Sequence, residues 1–205
     1  MQKRKVLSAK ILQIIIVLLA FGVISGCASS KLTRQDLAEI KSVAIDPEVI
    51  VPSRIEYFKD DIKPGSSANF MGALMAIDDV MDDTDINVGK MVVEEFRKQS
   101  TAKNIFPSIA NFGGDATLSF KIHYYGFRPQ AFRPDGYLGA VIKVTVYLRN
   151  ANGKLIWKST ADCTPERTSA HPWRKYVTEP KQLRTVFMQA ANVVVSDLLN
   201  NIETN

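Results

Sequence analysis

The sequence predicts an α+β fold, with a mainly antiparallel sheet and with helices packed on one face of it. Residues 116–124 are the clearest strand, because apolar and polar side chains alternate along them. Residues 140–149 and 154–162 have strand-like apolar positions on both sides of a turn at 150–153, which is typical of a β-hairpin. Residues 178–202 place apolar side chains at helical spacing. Consecutive strands with helices grouped outside them are the pattern of the α+β class.

Residues 1–26 have the three parts of a secretory signal peptide. Residues 3–5 are basic, residues 11–24 are almost entirely apolar, and small residues precede Cys27. The apolar run is short for a membrane-spanning helix, which needs ~20 residues. We therefore expect the segment to be cleaved, and an uncleaved anchor is the alternative.

Ile24-Ser25-Gly26-Cys27 resembles the lipobox of bacterial lipoproteins: an aliphatic residue, a small residue, Gly and then Cys. The resemblance implies that Cys27 is linked to diacylglycerol, that cleavage occurs before it, and that the new amino group is acylated, with palmitate as a typical chain. Ala28 follows instead of Asp, which by similarity to enterobacterial lipoproteins implies the outer membrane, with the domain facing the periplasm. Two or more acyl chains anchor a protein stably. The alternative is an ordinary signal peptide with a chance Cys.

The charge of the mature chain is close to zero. The full sequence has 26 Lys plus Arg and 21 Asp plus Glu, and residues 1–26 hold four of the basic residues and none of the acidic ones. Removing those four leaves 22 basic against 21 acidic residues. A nucleic-acid-binding protein needs clustered basic residues in excess, so the composition argues against a nucleic-acid partner.

The mature chain has the length of one domain, since domains run to ~100–200 residues. We expect a lipidated Cys27 and tether over residues 27–41, followed by a single periplasmic α+β domain over 42–205. A short helix is predicted within the tether at 34–41, and the first strand at 42–46.

Residues 68–81 are predicted to form a helix with an apolar face widened by Met71, Ala73 and Met75. One interpretation is a core helix that uses Met as filler, and the other is a helix that lies on a membrane or a partner. Residues 48–58 read as an edge strand or extended loop, because Pro52 interrupts them.

Five Asp residues lie between positions 78 and 85. Their spacing does not match an EF-hand loop, which has a central Gly and a terminal Glu at fixed positions. The preferred interpretation is that Asp83 or Asp85 caps the next helix, predicted over 86–100. In the same way Thr178 is expected to cap the terminal helix, with Pro180 in its first turn.

Catalytic motifs are missing from the sequence. His123 and His171, the two histidines, are far apart and stand in no metal-ligand spacing, and no nucleotide-binding or nucleophile motif occurs. We therefore predict a protein that is not an enzyme and that has no metal and no cofactor. Cys163 is expected to be a buried, unpaired thiol at a strand end, with an intermolecular disulfide as the alternative.

Two loops combine aromatic and basic residues, the types enriched at protein-interface hot spots. The first, predicted over 127–139, contains two Phe-Arg-Pro triplets, and the second, within a loop predicted over 164–177, spans 171–176. The alternative is that the aromatic side chains fold back on the core and the arginines are simply solvated. The candidate partner-binding residues are Phe127, Arg128, Phe132, Arg133, Tyr137, Trp173 and Arg174.

The predicted layout is similar to the small periplasmic domains of envelope lipoproteins of the LpoB type and of the TolB amino-terminal and CsgG types. The expected partners are the membrane, to which the amino-terminal acyl chains anchor the protein, and an envelope protein. The first functional hypothesis is a non-catalytic accessory lipoprotein that binds a periplasmic or outer-membrane protein complex. The second is a secretion- or transport-associated lipoprotein that oligomerises and docks on or inserts into membrane. The oligomeric state stays open at this point.

Overall fold

The structure is a computed structural model that describes residues 31–56, 67–110, 112–134 and 136–202, with the side chains of 67–70 left out. The predicted signal peptide, the lipobox-like sequence and Cys27 lie outside the described residues. The observed architecture is α+β, with a mixed and mostly antiparallel sheet, as the sequence predicts.

Five α-helices occur in the described part of the chain. The four predicted helices are confirmed with shifted ends, and the short α4 replaces part of a predicted loop. The helices are α1 (Arg34–Ala38), α2 (Ser67–Asp83), α3 (Val88–Ala102), α4 (Trp173–Thr178) and α5 (Pro180–Leu199).

The strands pair in the spatial order β2-β1-β3-β4-β5, with β6 added beside β4. β1 runs parallel to both of its neighbours, and the other pairs are antiparallel. The extended segment at 50–56 continues this sheet through single bridges of Ile50 and Glu56 to β3. The strands are β1 (Val43–Ile45), β2 (Ile109–Ala110), β3 (Ala116–Pro129), β4 (Tyr137–Asn150), β5 (Leu155–Cys163) and β6 (His171–Pro172).

The β3–β4 hairpin is longer than the sequence predicts. Pairing continues through Phe127 opposite Ala140 to Pro129 opposite Leu138, so the predicted loop over 127–139 is wrong at both ends. A register shift after Ile122 interrupts the alternation of side chains between the two faces of the sheet. A pattern of period two therefore does not detect the second half of β3.

The core lies between the sheet and the helices α3 and α5. Phe96 of α3 meets Phe120 of β3 edge to face, with ring centroids 5.1 Å apart. Phe187 of α5 meets Phe127 of β3 in the same way at 5.1 Å. The side chains of β4 and β5 that point to these helices are fully buried, and they are Ile142, Val144, Val146, Leu148, Trp157, Ser159 and Cys163.

Neither Asp83 nor Asp85 caps α3, so that prediction is wrong. Asn87 is the N-cap residue, and its side-chain oxygen accepts a hydrogen bond from the Lys90 amide at 2.9 Å. Asp85 instead takes a positive φ of 50° in the turn before the helix. Asn and Asp are both favoured at helix N-caps and in turns. The sequence alone therefore does not show which of these neighbouring residues is the cap.

Thr178 does not cap α5 either. Its hydroxyl donates to the Arg174 carbonyl at 3.1 Å, one turn back in α4. The N-cap residue is Glu179, without a side-chain cap, and Pro180 begins α5 as predicted. The short α4 uses the hydroxyl that the sequence pattern assigned to the next helix.

Cys163 is a free thiol in the described chain and is buried at the end of β5, which confirms its predicted burial and position. Its Sγ lies 3.5 Å from the Thr164 carbonyl oxygen, to which it donates. Burial raises the pKa of the thiol to about 12. The nucleophilic thiolate is therefore scarce in the native protein.

We expect the native protein to react at least a hundredfold more slowly with a thiol reagent at mildly alkaline pH than the same protein in denaturant, because the reagent needs both access and a thiolate. The release of a chromogenic thiol measures both rates. Rapid stoichiometric reaction of the native protein would contradict this, as would a disulfide-linked dimer that disappears with Cys163→Ser.

Candidate partner-binding surface

The loop between β3 and β4 is tightly closed by its own backbone. The Gln130 amide donates to the Tyr137 carbonyl at 3.2 Å, and the Tyr137 amide donates to the Pro134 carbonyl at 3.1 Å. The Gln130 side chain donates to the Pro165 carbonyl at 3.1 Å, which fixes the base of the loop to the segment after β5. A short loop held at both ends loses little conformational entropy when it binds a partner.

Phe132 projects from this loop with its whole side chain in solvent. Its φ is +61°, a region in which a bulky residue is uncommon and costs about 1–2 kcal/mol. The Phe132 ring is not buried, so no packing energy offsets the cost of the unfavourable backbone conformation. An exposed apolar ring on a closed loop has the form of an interface anchor.

The second aromatic–basic segment lies directly beside this loop. β6 pairs with β4, so that Tyr137 is opposite Pro172 and Leu138 is opposite His171. The Trp173 amide then donates to the Gly136 carbonyl at 2.9 Å. Two segments more than thirty residues apart in the chain are thus joined into one surface at this end of the sheet.

Buried aromatic residues support this surface from below. The Tyr176 hydroxyl donates to the Leu138 carbonyl at 2.7 Å and accepts from the His171 amide at 3.2 Å. The ring of Tyr176 lies 4.8 Å from that of Phe127, and burial raises the pKa of Tyr176 far above its usual value. The hydroxyl therefore stays protonated and keeps β4, β6 and α4 together.

The seven candidate residues divide into two groups. Phe127 is fully buried in the core, which removes it from the candidate surface, and Arg128 is half-buried. The other five lie around the loop and β6, with Phe132, Arg133 and Arg174 exposed and the two larger aromatic side chains half-buried. We call these five the aromatic–basic surface: Phe132, Arg133, Tyr137, Trp173 and Arg174.

Cation–π stacking orders one part of the aromatic–basic surface. The Arg174 guanidinium lies 5.5 Å from the centre of the Trp173 ring. Stacking keeps the arginine charge beside an apolar ring instead of free in solvent. Trp and Arg are both enriched at binding hot spots.

Among the described residues, no group of three or more His, Cys, Asp or Glu side chains is arranged to hold a metal ion. Asp78 of the acidic segment accepts a hydrogen bond from the Ile55 amide at 3.3 Å, which joins α2 to the extended segment at 50–56. Burial raises the pKa of this carboxyl. None of the described helices is both long and apolar enough to cross a bilayer.

A second surface, which the sequence pattern did not single out, lies on the side of the sheet away from the helices. We call it the open face. The register aligns Ser119 with Tyr147 and Lys158, and it aligns Lys121 with Thr145. The further members of the open face are Thr117, His123, Tyr124, Lys143, Arg149, Thr160 and Asp162.

Hydrogen bonds run across the open face from strand to strand. The Thr145 hydroxyl lies 2.7 Å from Nε2 of His123 and 2.8 Å from the hydroxyl of Thr160. Desolvation lowers the pKa of His123, and the charges of Lys121, Lys143 and Lys158 lower it further. His123 is therefore neutral near neutral pH, and the three lysines and Arg149 supply the positive charge of the open face.

Comparison with known proteins finds similar structures but no matching sequence family. No family model matches the chain, and no curated relative matches it. A Xanthomonas campestris protein of the DUF330 family is 15% identical, with a TM-score of 0.41 over 85% of this chain and 86% of its own. PelC of Paraburkholderia phytofirmans, solved as a dodecamer, is 16% identical, with a TM-score of 0.38 over 82% and 92%. A minor lipoprotein of Acinetobacter baumannii is 13% identical, with a TM-score of 0.35 over 78% and 92%. Similarity of this degree assigns neither family nor function.

Proposed function

We propose that the protein is a lipid-anchored, non-catalytic envelope lipoprotein of the outer membrane that binds a periplasmic or outer-membrane protein complex as an accessory subunit. The lipobox-like sequence ending at Cys27 supports the anchor. The observation that carries the binding role is the aromatic–basic surface, which joins two separate segments on a buried aromatic support.

The second candidate, an oligomerising lipoprotein that docks on or inserts into membrane through α2, has less support. Leu74, Ile77 and Met81 of this helix are buried in the core, and Met75 is the large apolar side chain of the described part of α2 that is exposed, at 59%. Most of the apolar face of α2 is therefore buried in the core and is not available to a membrane. The size of the detergent-extracted particle separates the two candidates, since a monomer excludes the second.

We expect Phe132→Ala combined with Arg133→Ala to reduce capture of envelope partners at least tenfold, because truncation of a hot-spot residue costs ~2 kcal/mol or more. Quantitative mass spectrometry after cross-linking and affinity capture of the intact lipoprotein measures the loss. Thermal stability should change little, since both side chains are exposed.

The matched control is Phe112→Ala combined with Lys103→Ala. This pair also removes one exposed aromatic ring and one exposed cation, but both residues precede β3 in the chain, whereas the tested loop follows it. Partners lost from the first variant and kept by the control support the aromatic–basic surface. Retention of every partner by both variants would place the binding surface elsewhere.

A further inference from the structure

The open face carries more basic than acidic side chains. Among the described residues, the ion pairs are Lys98 with Glu95 and Arg167 with Asp197, and neither pair involves this face. Asp162 lies directly opposite Lys143 in the register and accepts from the Tyr124 hydroxyl at 2.7 Å, so its charge offsets that of one lysine. The positive charge of Lys121, Lys158 and Arg149 is left for a ligand outside the described structure.

Tyrosine rings position two of these lysines. Nζ of Lys143 lies 5.9 Å from the centre of the Tyr124 ring, and Nζ of Lys158 lies 5.7 Å from that of Tyr147. Cation–π attraction of this kind keeps an ammonium group over its ring. The charges are thus arranged across three neighbouring strands, and Lys121 completes the group on β3.

The described chain begins at β5. The Leu32 amide donates to the Asn201 carbonyl, and the Asn201 side chain donates to the Ser159 hydroxyl at 3.0 Å. Ser159 points to the helix side of the sheet, and its neighbours Lys158 and Thr160 point to the open face on the other side of this strand. Leu32 is fully buried, so the tether is fixed at this point on the helix side of β5.

The tether from this point back to Cys27 is short. An extended chain advances at most ~3.6 Å per residue, so the five steps from Leu32 reach about 18 Å. A lipid attached to Cys27 would therefore keep β5, which is at the edge of the sheet, close to the bilayer surface. The open face lies on the other side of this strand, and its basic charge favours turning that face toward a layer of anionic headgroups.

We propose that the open face lies against anionic phospholipid headgroups of the membrane to which the tether anchors the domain. This inference rests on the lipid anchor of the proposed function. Each lysine near an anionic surface adds ~1 kcal/mol, which corresponds to about fivefold in occupancy of the docked orientation. The contact is electrostatic, so it weakens as salt is raised.

The test uses the full lipidated protein on vesicles whose headgroups carry a paramagnetic quencher. A fluorophore is attached to Thr117→Cys, an exposed position on the open face, and the control fluorophore to Lys103→Cys at the end of α3. The native Cys163 is buried and does not compete for the label. One set of vesicles is phosphatidylcholine, and the other contains equal parts of phosphatidylcholine and phosphatidylglycerol.

We expect at least threefold stronger quenching at Thr117→Cys on the anionic vesicles than on the neutral ones, and loss of that difference in high salt. Lys121→Gln, Lys143→Gln and Lys158→Gln together should abolish the difference. The control triple variant removes as many charges from α3 and from the residue that follows it, and it should keep the difference. Its members are Lys90→Gln, Lys98→Gln and Lys103→Gln. The fluorophore at Lys103→Cys should be quenched equally by both kinds of vesicle.

Equal quenching at Thr117→Cys on both vesicles would overturn the proposal, as would an unchanged difference in the open-face triple variant. A change in the emission of the fluorophore on addition of soluble polygalacturonate, without quenching by either kind of vesicle, would also overturn the proposal. That result would assign the face to an acidic polymer. A protein without acyl chains, which the mass of its amino-terminal peptide reveals, would show that the anchor itself is wrong. A lipidated protein without headgroup contact would show that only the orientation is wrong.

Discussion

Replacement of Cys27→Ser should leave the protein as an unprocessed precursor without acyl chains. The thioether to diacylglycerol needs the Cys thiol, and by the resemblance to lipoproteins cleavage before this residue depends on that modification. We expect the mature, lipidated form to fall below a tenth of its normal level. The mass of the amino-terminal peptide and the migration of the protein on gels measure this directly.

The chain has its own control for this experiment. Cys163→Ser changes the other cysteine, which is buried at the end of β5 and far along the chain from the lipobox. This variant should be processed and acylated normally. A Cys27→Ser protein that still matures and fractionates with the outer membrane would exclude the lipobox interpretation.

Phe187→Ala should lower the free energy of unfolding by about 3–5 kcal/mol, because it deletes a large buried ring and leaves a cavity. Phe187 is fully buried, and its ring lies 5.1 Å from Phe127 and 6.1 Å from Tyr125. Domains have only ~5–15 kcal/mol in total, so the loss is a large share. Unfolding in urea, followed by circular dichroism, measures it.

Met188→Ala is the matched control, since Met188 is the next residue of α5 and is 55% exposed. We expect its effect to stay within about 0.5 kcal/mol. A loss below about 1 kcal/mol for Phe187→Ala would mean that the surrounding core collapses into the cavity. The aromatic support beneath the aromatic–basic surface would then be less rigid than the structure indicates.

Local patterns were sufficient for most elements of the fold. The helix predicted over 68–81 and the strand predicted over 116–124 are confirmed, because the periods of 3.6 and two that identify them depend only on the residues within each element. The ends of elements were less well predicted. Asn87 rather than an Asp begins α3, since capping depends on which side chain meets a free amide.

The two Phe-Arg-Pro triplets show where local sequence stops being informative. Phe127 is fully buried and Phe132 is fully exposed, although each begins the same three residues. The difference arises because Phe127 is still within β3 and faces α5, whereas Phe132 lies in the loop after the last ladder pair. The sequence pattern therefore did not distinguish the exposed ring from the buried one.

Sequence alone was enough to predict the α+β class, the main helices and strands, and the burial of Cys163. These depend on composition, on periodicity or on short motifs, which are properties of neighbouring residues. Only the tertiary structure joined Tyr137 to the segment at 171–176 and gathered Lys121, Lys143 and Lys158 on one face. Both arrangements depend on strand pairing between segments far apart in the chain, and a shift of one residue in register would turn the lysines to the other face.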